Sequence, residues 1–439
     1  MIPMFNKLTM PWEWWTTYWF RLTPLFNLAI SRIIIVGSQL FYLLVPGRDG
    51  TIVSQLVNNS QLPDFLYNPL PILKIILFPL ELHHPPPVVL LLAILALTII
   101  TGTFGLIGLF TTLNLIIFAI GNILIQAYIY SFGALYSHSQ ALVMISLFIL
   151  ALSPAGQVLS LDDLRRRIRQ NRQRKSVDTF DIQQEKSHLA RWPLLLIQWM
   201  FAIIYLDSAM SKLLKGGLDW MNGYTLQYYL WQDGLIWNRP LGIWLAGQHT
   251  LAILSSWVAI LFEATFFFVL FFPRLIWFYI PLGICFHTGI YIAQNAPFLK
   301  YIPCYSVFIP WAELVKNVSK RRRIDGSTHN PEIIYDKSDN HCLTIITVLS
   351  YFNWFNRLTF RDWQTQHSSQ SNNMAEIALD DYQKPLYLVL PSGSKRKGFL
   401  AFRESLRYLP PLWLLYPVLS LPFISKISAN LYKSMESRQ

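Results

Sequence analysis

A lysine stands at the end of a long apolar stretch, in the sequence SKLLKGGLDWMNGY that begins at Ser211. The preceding stretch, 192–210, is long and apolar enough to span a membrane. A lysine at the edge of a span serves either as an interfacial anchor or as a chemical group. Lys215 is the better anchor, because it lies further out and precedes two glycines. Lys212 is the candidate base, because an amine partly removed from water can accept a proton near neutral pH.

Two histidines are candidate partners of this lysine. His287 lies inside the apolar run FYIPLGICFHTGIYIA, where a polar ring either lines a cavity or packs with its hydrogen bonds satisfied. His138, in the sequence YSHS, is either a functional group or a helix-start residue in an exposed loop. We therefore predict Lys212, His138 and His287 as the catalytic residues. The lysine would act as the base, and the histidines would steady negative charge in a pocket of low dielectric constant.

Three further charged residues fall within apolar stretches. Arg32 and Glu263 lie in the middles of predicted spans, where a lone charge is costly, so we expect them to pair. A structural ion pair is favoured over a contact with substrate. Asp207, about one helical turn before Ser211, is expected to orient or neutralise Lys212.

The composition predicts a multi-pass membrane protein. Of the 439 residues, 53% are hydrophobic and only 14% are charged. The net charge of +12 is a topology signal rather than a nucleic-acid footprint, since the arginines cluster at the ends of apolar segments. Cys285, Cys304 and Cys342 are too few and too scattered for a disulfide framework or a zinc site, and we expect no metal. The stretch 1–20 lacks the pattern of a cleaved signal peptide and is typical of an interfacial helix.

Apolar windows of about 20 residues predict about eight spans. The windows are 24–45, 86–104, 106–127, 138–154, 192–211, 250–272, 275–293 and 298–315. Two loops are rich in Lys and Arg, LRRRIRQNRQRK from Leu164 and KNVSKRRR after Val315, and such loops normally stay in the cytoplasm. Four spans precede the first loop and four separate it from the second. We therefore expect a plasma-membrane protein with its N-terminus, basic loops and C-terminal domain in the cytoplasm, and with Lys212 toward the opposite face.

The segment after residue 325 is predicted to be a small α/β domain. Alternating apolar runs and polar turns predict strands at 332–335 and 386–390 and helices at 341–356 and 398–409. The apolar stretch 410–424 is shorter than a comfortable span and is expected to form a packed helix. The predicted domains are thus 1–325 and 326–439.

The membrane part resembles a known family. The sequence YLDSAMSKLLKGGLDWMNGYTL resembles the signature of the HTTM family, the horizontally transferred transmembrane domain shared with vitamin K-dependent gamma-glutamyl carboxylase. NLAISRIIIVG, LYSHSQALVMISLFILALSP and CFHTGIYIA resemble further parts of it, so the resemblance covers roughly 20–320. It implies that Lys212 matches the base that deprotonates the vitamin K hydroquinone. His138 then matches a charge-stabilising histidine, and His287 matches a further histidine of the same pocket.

Two features separate this chain from the carboxylase. Nothing after residue 325 resembles the carboxylase's large luminal domain, which captures the propeptide of its protein substrates. Many bacterial relatives with this bundle have no assigned reaction. The resemblance therefore implies a fold more firmly than an activity.

The tail resembles the DCC family of thiol-disulfide oxidoreductase-like domains, which have a thioredoxin-related core. IIYDKSDNHC and the closing stretch that begins GFLAFRESLRY carry this resemblance. Where the family has two cysteines separated by two residues, this chain has Asp339 and Cys342. A helix start lowers the pKa of a thiol, so we expect Cys342 to keep some reactivity, although it has no partner for an intramolecular disulfide. A relic fold kept for packing or partner binding is the favoured interpretation.

Together these features predict an all-α polytopic membrane bundle of about eight helices, followed by a small α/β thioredoxin-like cytoplasmic domain. The first functional hypothesis is a membrane enzyme that acts on a lipid-soluble quinol or similar molecule with Lys212 as base. The alternative is a non-enzymatic membrane scaffold or lipid-binding protein whose redox-inactive tail docks a protein partner. Transport has less support, because the sequence shows no internal repeat. We expect the lipid membrane as a partner and no nucleic acid.

Overall fold

The computed structural model describes residues 11–47, 50–77, 84–132, 140–324, 330–363 and 386–436. The helices of these residues begin, in chain order, with α1 (Pro11–Phe20), α2 (Leu25–Leu44), α3 (Ile52–Ser60), α4 (Pro71–Leu77), α5 (Val88–Ile107), α6 (Thr111–Ile129), α7 (Ala141–Ala151), α8 (Leu161–Arg174) and α9 (Arg191–Gly216). They continue with α10 (Tyr224–Ile236), α11 (Pro240–Ala246), α12 (His249–Thr265), α13 (Ile276–Gln294), α14 (Trp311–Ile324), α15 (Asn340–Tyr351), α16 (Phe399–Ser405), α17 (Leu415–Ser420) and α18 (Pro422–Glu436). The strands are β1 (Thr23–Pro24), β2 (Lys186–Ser187), β3 (Glu332–Tyr335), β4 (Thr359–Asp362), β5 (Tyr387–Val389) and β6 (Lys395–Lys397).

The contacts within the chain divide it into two compact units. Unit 1 comprises Met1–Gln157 and Lys186–Ile309. Unit 2 comprises Val158–Glu185 and Pro310–Gln439. Unit 2 therefore begins before residue 326, the predicted start of the tail domain, and it also takes in the first basic loop. No pattern within the sequence joins that loop to the tail.

Unit 1 consists mainly of apolar helices. Within the described residues, six helical stretches are long and apolar enough to cross a membrane. They are Leu25–Leu44, Val88–Ile107, Thr111–Ile129, His188–Asn222, His249–Leu270 and Pro273–Gln294. These stretches confirm the multi-pass character predicted from the composition.

The count of eight spans, and the orientation derived from it, stay predictions. The described part of the window 138–154 holds α7, whose 11 residues rise only about 17 Å, well short of a hydrocarbon core of about 30 Å. The window 298–315 forms a 3₁₀-helix, Phe298–Phe308, before α14 begins. Pro303 lies inside that stretch and Pro310 follows it, and a proline removes the backbone donor that a regular α-helix needs.

Unit 2 contains a four-stranded mixed sheet in the order β4-β3-β5-β6. β3 pairs with β4 in parallel and with β5 in antiparallel, and β5 pairs with β6 in antiparallel. The predicted strands at 332–335 and 386–390 correspond to β3 and β5, and the predicted helices correspond to α15 and α16. β4 and β6 were not predicted, since TFRD and KRK carry too few apolar residues to show a buried face. The relation of this sheet to thioredoxin stays a prediction.

The predicted single helix at 410–424 is wrong. A 3₁₀ turn at Pro410–Leu412 comes first, and α17 and α18 follow. Prolines at 410, 411 and 422 cause these breaks, because each one favours a helix start over a helix interior.

α8 is an integral part of unit 2. Its residues Asp163, Arg167 and Asn171, spaced by four, are buried on one face. The Tyr351 hydroxyl of α15 donates a hydrogen bond to Asp163 Oδ2 at 2.9 Å. The Asn171 amide donates to the Thr347 hydroxyl at 2.9 Å. The first basic loop, which the sequence presented only as a topology signal, therefore contains a helix that packs against α15 within this unit.

Candidate functional site

Lys212 lies on a polar face of α9. Tyr205, Ser208 and Lys212 are spaced by three and four residues, which places their side chains on the same side of the helix. The opposite side presents exposed apolar residues such as Ile203 and Leu214. The helix thus carries one polar stripe through an otherwise apolar bundle.

The Lys212 ammonium is fully engaged by its neighbours. Lys212 Nζ donates hydrogen bonds to Glu263 Oε2 at 2.6 Å and to Glu263 Oε1 at 2.8 Å. It also donates to Ser208 Oγ at 2.7 Å, and Ser208 Oγ lies 3.2 Å from Glu263 Oε1. The Lys212 side chain is 22% exposed and that of Glu263 is 6% exposed. The lysine is therefore the accessible member of the pair, and the carboxylate lies behind it.

A glycine turn completes the surroundings of Lys212. Gly217 and Gly223 have φ values of 58° and 88°, in the left-handed region that favours glycine. Between them the chain forms a 3₁₀-helix that carries Trp220 back toward α9. Lys212 Nζ lies 5.4 Å from the centre of the Trp220 ring, within the range of a cation–π contact.

His287 of α13 belongs to a second hydrogen-bonded group, which meets the same stripe at Tyr205. Its Nε2 and the Tyr205 hydroxyl lie 2.7 Å apart in a hydrogen bond, and the Tyr205 hydroxyl also bonds to the Tyr305 hydroxyl. His287 is only 2% exposed, and Phe298 stacks on its ring. Its Nδ1 atom is buried and has no hydrogen-bond partner among the described residues. One ring nitrogen is therefore anchored and the other has its hydrogen-bonding capacity free.

Tyr205 stands between the two groups. It shares the polar stripe of α9 with Lys212, and its hydroxyl bonds to His287. Within the part of the chain that the structure describes, Lys212 and His287 make no hydrogen bond to each other. Lys212 and His287 thus belong to two groups that both include residues of the α9 stripe.

Three of the predicted intramembrane charges behave differently from expectation. The predicted pairing of Arg32 with Glu263 is wrong, because Glu263 pairs with Lys212 while Arg32 donates to the backbone carbonyl of Ala155 at 2.9 Å. Asp207 is exposed on another side of α9, and in the described chain no hydrogen bond joins it to Lys212. The reason is angular, since five residues along an α-helix turn the side chain through about 140°. His138 lies outside the described residues.

Sequence reasoning missed Ser208, Tyr205, Tyr305 and the role of Glu263. The spacing of Tyr205, Ser208 and Lys212 was visible as a helical stripe and could have identified the first two. Tyr305 and Glu263 come from distant segments, and only the packing of the helices brings them to α9.

The thiol of unit 2 is buried rather than poised for reaction. Cys342 is 1% exposed and lies in an apolar core that includes Ile333 of β3 and Ile346 of α15. Burial raises the pKa of the Cys342 thiol, and the nearby Asp339 carboxylate raises it further. The expected lowering of this pKa at a helix start is therefore wrong, because desolvation and a like charge outweigh the helix terminus.

The segment that carries Asp339 is also covered from one side. Asp339 caps α15 by accepting a hydrogen bond from the His341 backbone at 2.7 Å. Lys175, at the end of α8, donates to the Ser338 carbonyl at 3.0 Å and to Asn340 Oδ1 at 2.9 Å. The position that would carry the first thiol of a redox pair is thus used for helix capping.

The fold and the stripe define a polytopic membrane protein with a charged pair and a histidine group inside its bundle. The sequence model of the HTTM domain matches residues 67–293, just over half of the chain. The chain therefore belongs to the HTTM domain family. The model of the DCC1-like thiol-disulfide oxidoreductase matches residues 333–438. Neither a curated protein nor a solved structure matches the chain.

Proposed function

We propose that this protein is a membrane enzyme that removes a proton from a lipid-soluble hydroquinone or a similar hydroxylated ring, with Lys212 as the base. The observation that carries the proposal is the pair formed by Lys212, on the polar stripe of α9, and Glu263 of α12, bonded at 2.6 and 2.8 Å. A charged pair inside an apolar bundle is costly to keep, and such pairs mark functional sites by default. The resemblance to vitamin K-dependent gamma-glutamyl carboxylase supports the same class of substrate.

Glu263 supplies what an intramembrane lysine base needs. An ammonium cannot accept a proton, so Lys212 must first become a neutral amine. Transfer of one proton from Lys212 Nζ to the Glu263 carboxylate gives a neutral amine and a neutral carboxylic acid. The amine then takes the proton of the substrate hydroxyl, which leaves a substrate oxyanion and an ammonium. The more exposed position of Lys212 favours it over Glu263 as the group that meets the substrate.

His287 fits a role in steadying that oxyanion. Its Nδ1 is the one nitrogen of the ring without a hydrogen-bond partner among the described residues, while Nε2 is fixed by Tyr205. A ring held in one orientation by a second hydrogen bond is pre-organised to donate to developing negative charge. Tyr205 and Tyr305 are then positioning residues. His138, which lies outside the described residues, keeps its predicted role in stabilising the same negative charge.

The experiment uses the purified full-length chain in neutral detergent, without oxygen, and a short-chain 1,4-naphthohydroquinone as the probe. We expect the absorption band of the hydroquinone anion to appear on binding to the wild type at pH 7. Lys212→Gln should abolish the band. Lys215→Gln is the matched control, because it removes the same charge three residues along the same helix at an exposed position. An unchanged band in the Lys212→Gln protein would refute the proposal.

A non-enzymatic scaffold is the second candidate, and the buried thiol favours it. A tail whose Cys342 is sealed in the core has no accessible thiol at that position for disulfide exchange. In that case, Lys212→Gln should fully complement a deletion strain, and only removal of the tail should fail to complement. Loss of complementation by Lys212→Gln, with Lys215→Gln active, would count against the scaffold.

A further inference from the structure

The exposed face of α8 carries a row of arginines. Arg165 and Arg169 are exposed, lie one helical turn apart, and are followed one turn later by Gln173. Neither arginine makes a hydrogen bond or an ion pair with any described residue. Arg172 extends the row, although its Nε donates to the Thr344 hydroxyl at 2.9 Å. The outer face of the helix therefore presents several guanidinium groups to the surroundings.

Two nearby acidic residues, Asp163 and Glu185, bond to other arginines of α8 instead. Arg167 Nε donates to Asp163 Oδ2 at 3.0 Å, and Arg167 Nη2 donates to Glu185 Oε1 at 2.6 Å. Arg166 bonds to the other oxygen of Asp163. These bonds fix the rotation of α8 about its axis. They also commit both carboxylates to Arg166 and Arg167 rather than to the exposed row.

Two open depressions run along this face. The first has a volume of about 420 Å³ and is lined by Asp162, Arg165, Arg166, Arg169, Gln170 and Gln173. The second, of about 400 Å³, is lined by Arg165, Ile168, Arg169, Arg172 and Gln173. Asp162 is the one acidic residue among these linings, so both depressions carry a net positive charge.

The chain connections favour a membrane surface over a free partner in solution. Residues 152–160 join α7 to α8, and residues 175–187 join α8 to the stretch that begins α9. The helices before and after 152–187 are apolar, and the second of them belongs to a stretch long and apolar enough to span a membrane. A basic segment tethered in this way stays within reach of lipid headgroups.

We propose that the Arg165–Arg169 face of α8 binds the anionic headgroups of membrane lipids. The guanidinium groups attract the headgroup phosphates as a diffuse positive surface, and the network of Asp163, Arg167 and Glu185 holds that surface in place. This role is independent of the chemistry at Lys212. It also gives the basic loop a binding function in addition to its effect on topology.

The test measures binding of fluorescent short-chain phosphatidylglycerol and phosphatidylcholine to the full-length protein in neutral detergent. We expect the wild type to prefer phosphatidylglycerol. The double variant R165Q/R169Q should weaken phosphatidylglycerol binding about 30-fold, which corresponds to about 1 kcal/mol for each arginine near an anionic lipid surface. The matched control is R396Q/K426Q, which removes two exposed charges elsewhere in unit 2 and should leave binding unchanged. A second variant, R165K/R169K, keeps both charges and should keep binding near the wild-type level.

Several results would overturn the proposal. Equal binding of phosphatidylglycerol by R165Q/R169Q and the wild type is one. Complete displacement of the lipid by millimolar inorganic phosphate would assign the face to a free phosphate instead. A labelled single-stranded oligonucleotide that binds this face, with no phosphatidylglycerol binding, would assign it to nucleic acid. Loss of binding in R165K/R169K would contradict the diffuse character of the surface.

Discussion

Removing one member of the Lys212–Glu263 pair should destabilise the protein far more than removing both. Taking away one partner of a buried ion pair leaves an uncompensated charge and costs about 3–5 kcal/mol. Glu263→Ala leaves the Lys212 ammonium without its carboxylate. Because the Lys212 side chain is 22% exposed, water still reaches it, and we expect a cost at the lower end of this range, about 3 kcal/mol. Lys212→Met strands the carboxylate, which is only 6% exposed, and should cost about 4 kcal/mol.

The double variant K212M/E263L removes both charges and replaces them with apolar groups. Such replacements of buried ion pairs are often neutral or stabilising, so we expect a cost of no more than about 2 kcal/mol. The Ser208 hydroxyl loses its partners in this variant, and a neutral hydrogen bond inside a membrane contributes only about 0.6 kcal/mol on average. The sum of the two single costs, about 7 kcal/mol, should therefore far exceed the cost of the double variant.

The assay is reversible unfolding of the purified protein by sodium dodecyl sulfate in mixed micelles, followed by circular dichroism. Lys215→Met serves as the control and should change the free energy of unfolding by less than about 0.5 kcal/mol, because Lys215 is exposed. Single costs that add to the double cost within about 0.5 kcal/mol would show that the two side chains do not interact in the folded protein. That result would refute the pair, and with it the account of Lys212 as a paired base.

Three further outcomes follow from the packing around these groups. Cys342 should resist maleimide in the folded protein between pH 7 and pH 9 and react only after unfolding, as measured by peptide mapping, because burial raises its pKa; rapid labelling of the native protein would contradict this. Tyr351→Phe removes the hydrogen bond to the buried carboxylate of α8 and should lower the stability of unit 2 by about 1–3 kcal/mol in a urea titration, whereas an unchanged midpoint would place that bond outside the folded core. Gly283→Ala should destabilise the bundle by about 1–3 kcal/mol, because its new Cβ would overlap the Tyr305 hydroxyl, while Gly289→Ala, with open space around it, should not.

The long helices of unit 1 were predictable, because a span needs a run of apolar residues and the sequence displays that run directly. α2, for example, lies inside the predicted window 24–45. The stretch at 298–308 was not predictable in the same way. Its hydropathy is typical of a span, but hydropathy does not register that Pro303 and Pro310 prevent a continuous α-helix. Secondary structure at such places depends on local backbone chemistry that an average over a window conceals.

The site was predictable only as far as each residue's own position allowed. Lys212 and His287 stood out because a polar group in an apolar run needs a partner. The identity of the partner depends on which helices become neighbours. α9 packs against α12 rather than presenting Lys212 to α2, so Glu263 pairs with the lysine and Arg32 bonds to a backbone carbonyl instead. Nothing within either segment's own sequence encodes that choice.

The pairing with Glu263 changes what a lysine base inside a membrane has to overcome. An isolated amine would bring a net charge into the bundle whenever it is protonated. With Glu263 beside it, the two side chains sum to zero charge whether the proton lies on the amine or on the carboxyl group. In the proposed reaction, the net charge of the pair changes only when it takes a proton from the substrate, and the substrate oxyanion formed in that step balances the change. Lys215, exposed and three residues further along α9, has no carboxylate placed in this way among the described residues, so its nearness to Lys212 along the helix does not make the two lysines equivalent.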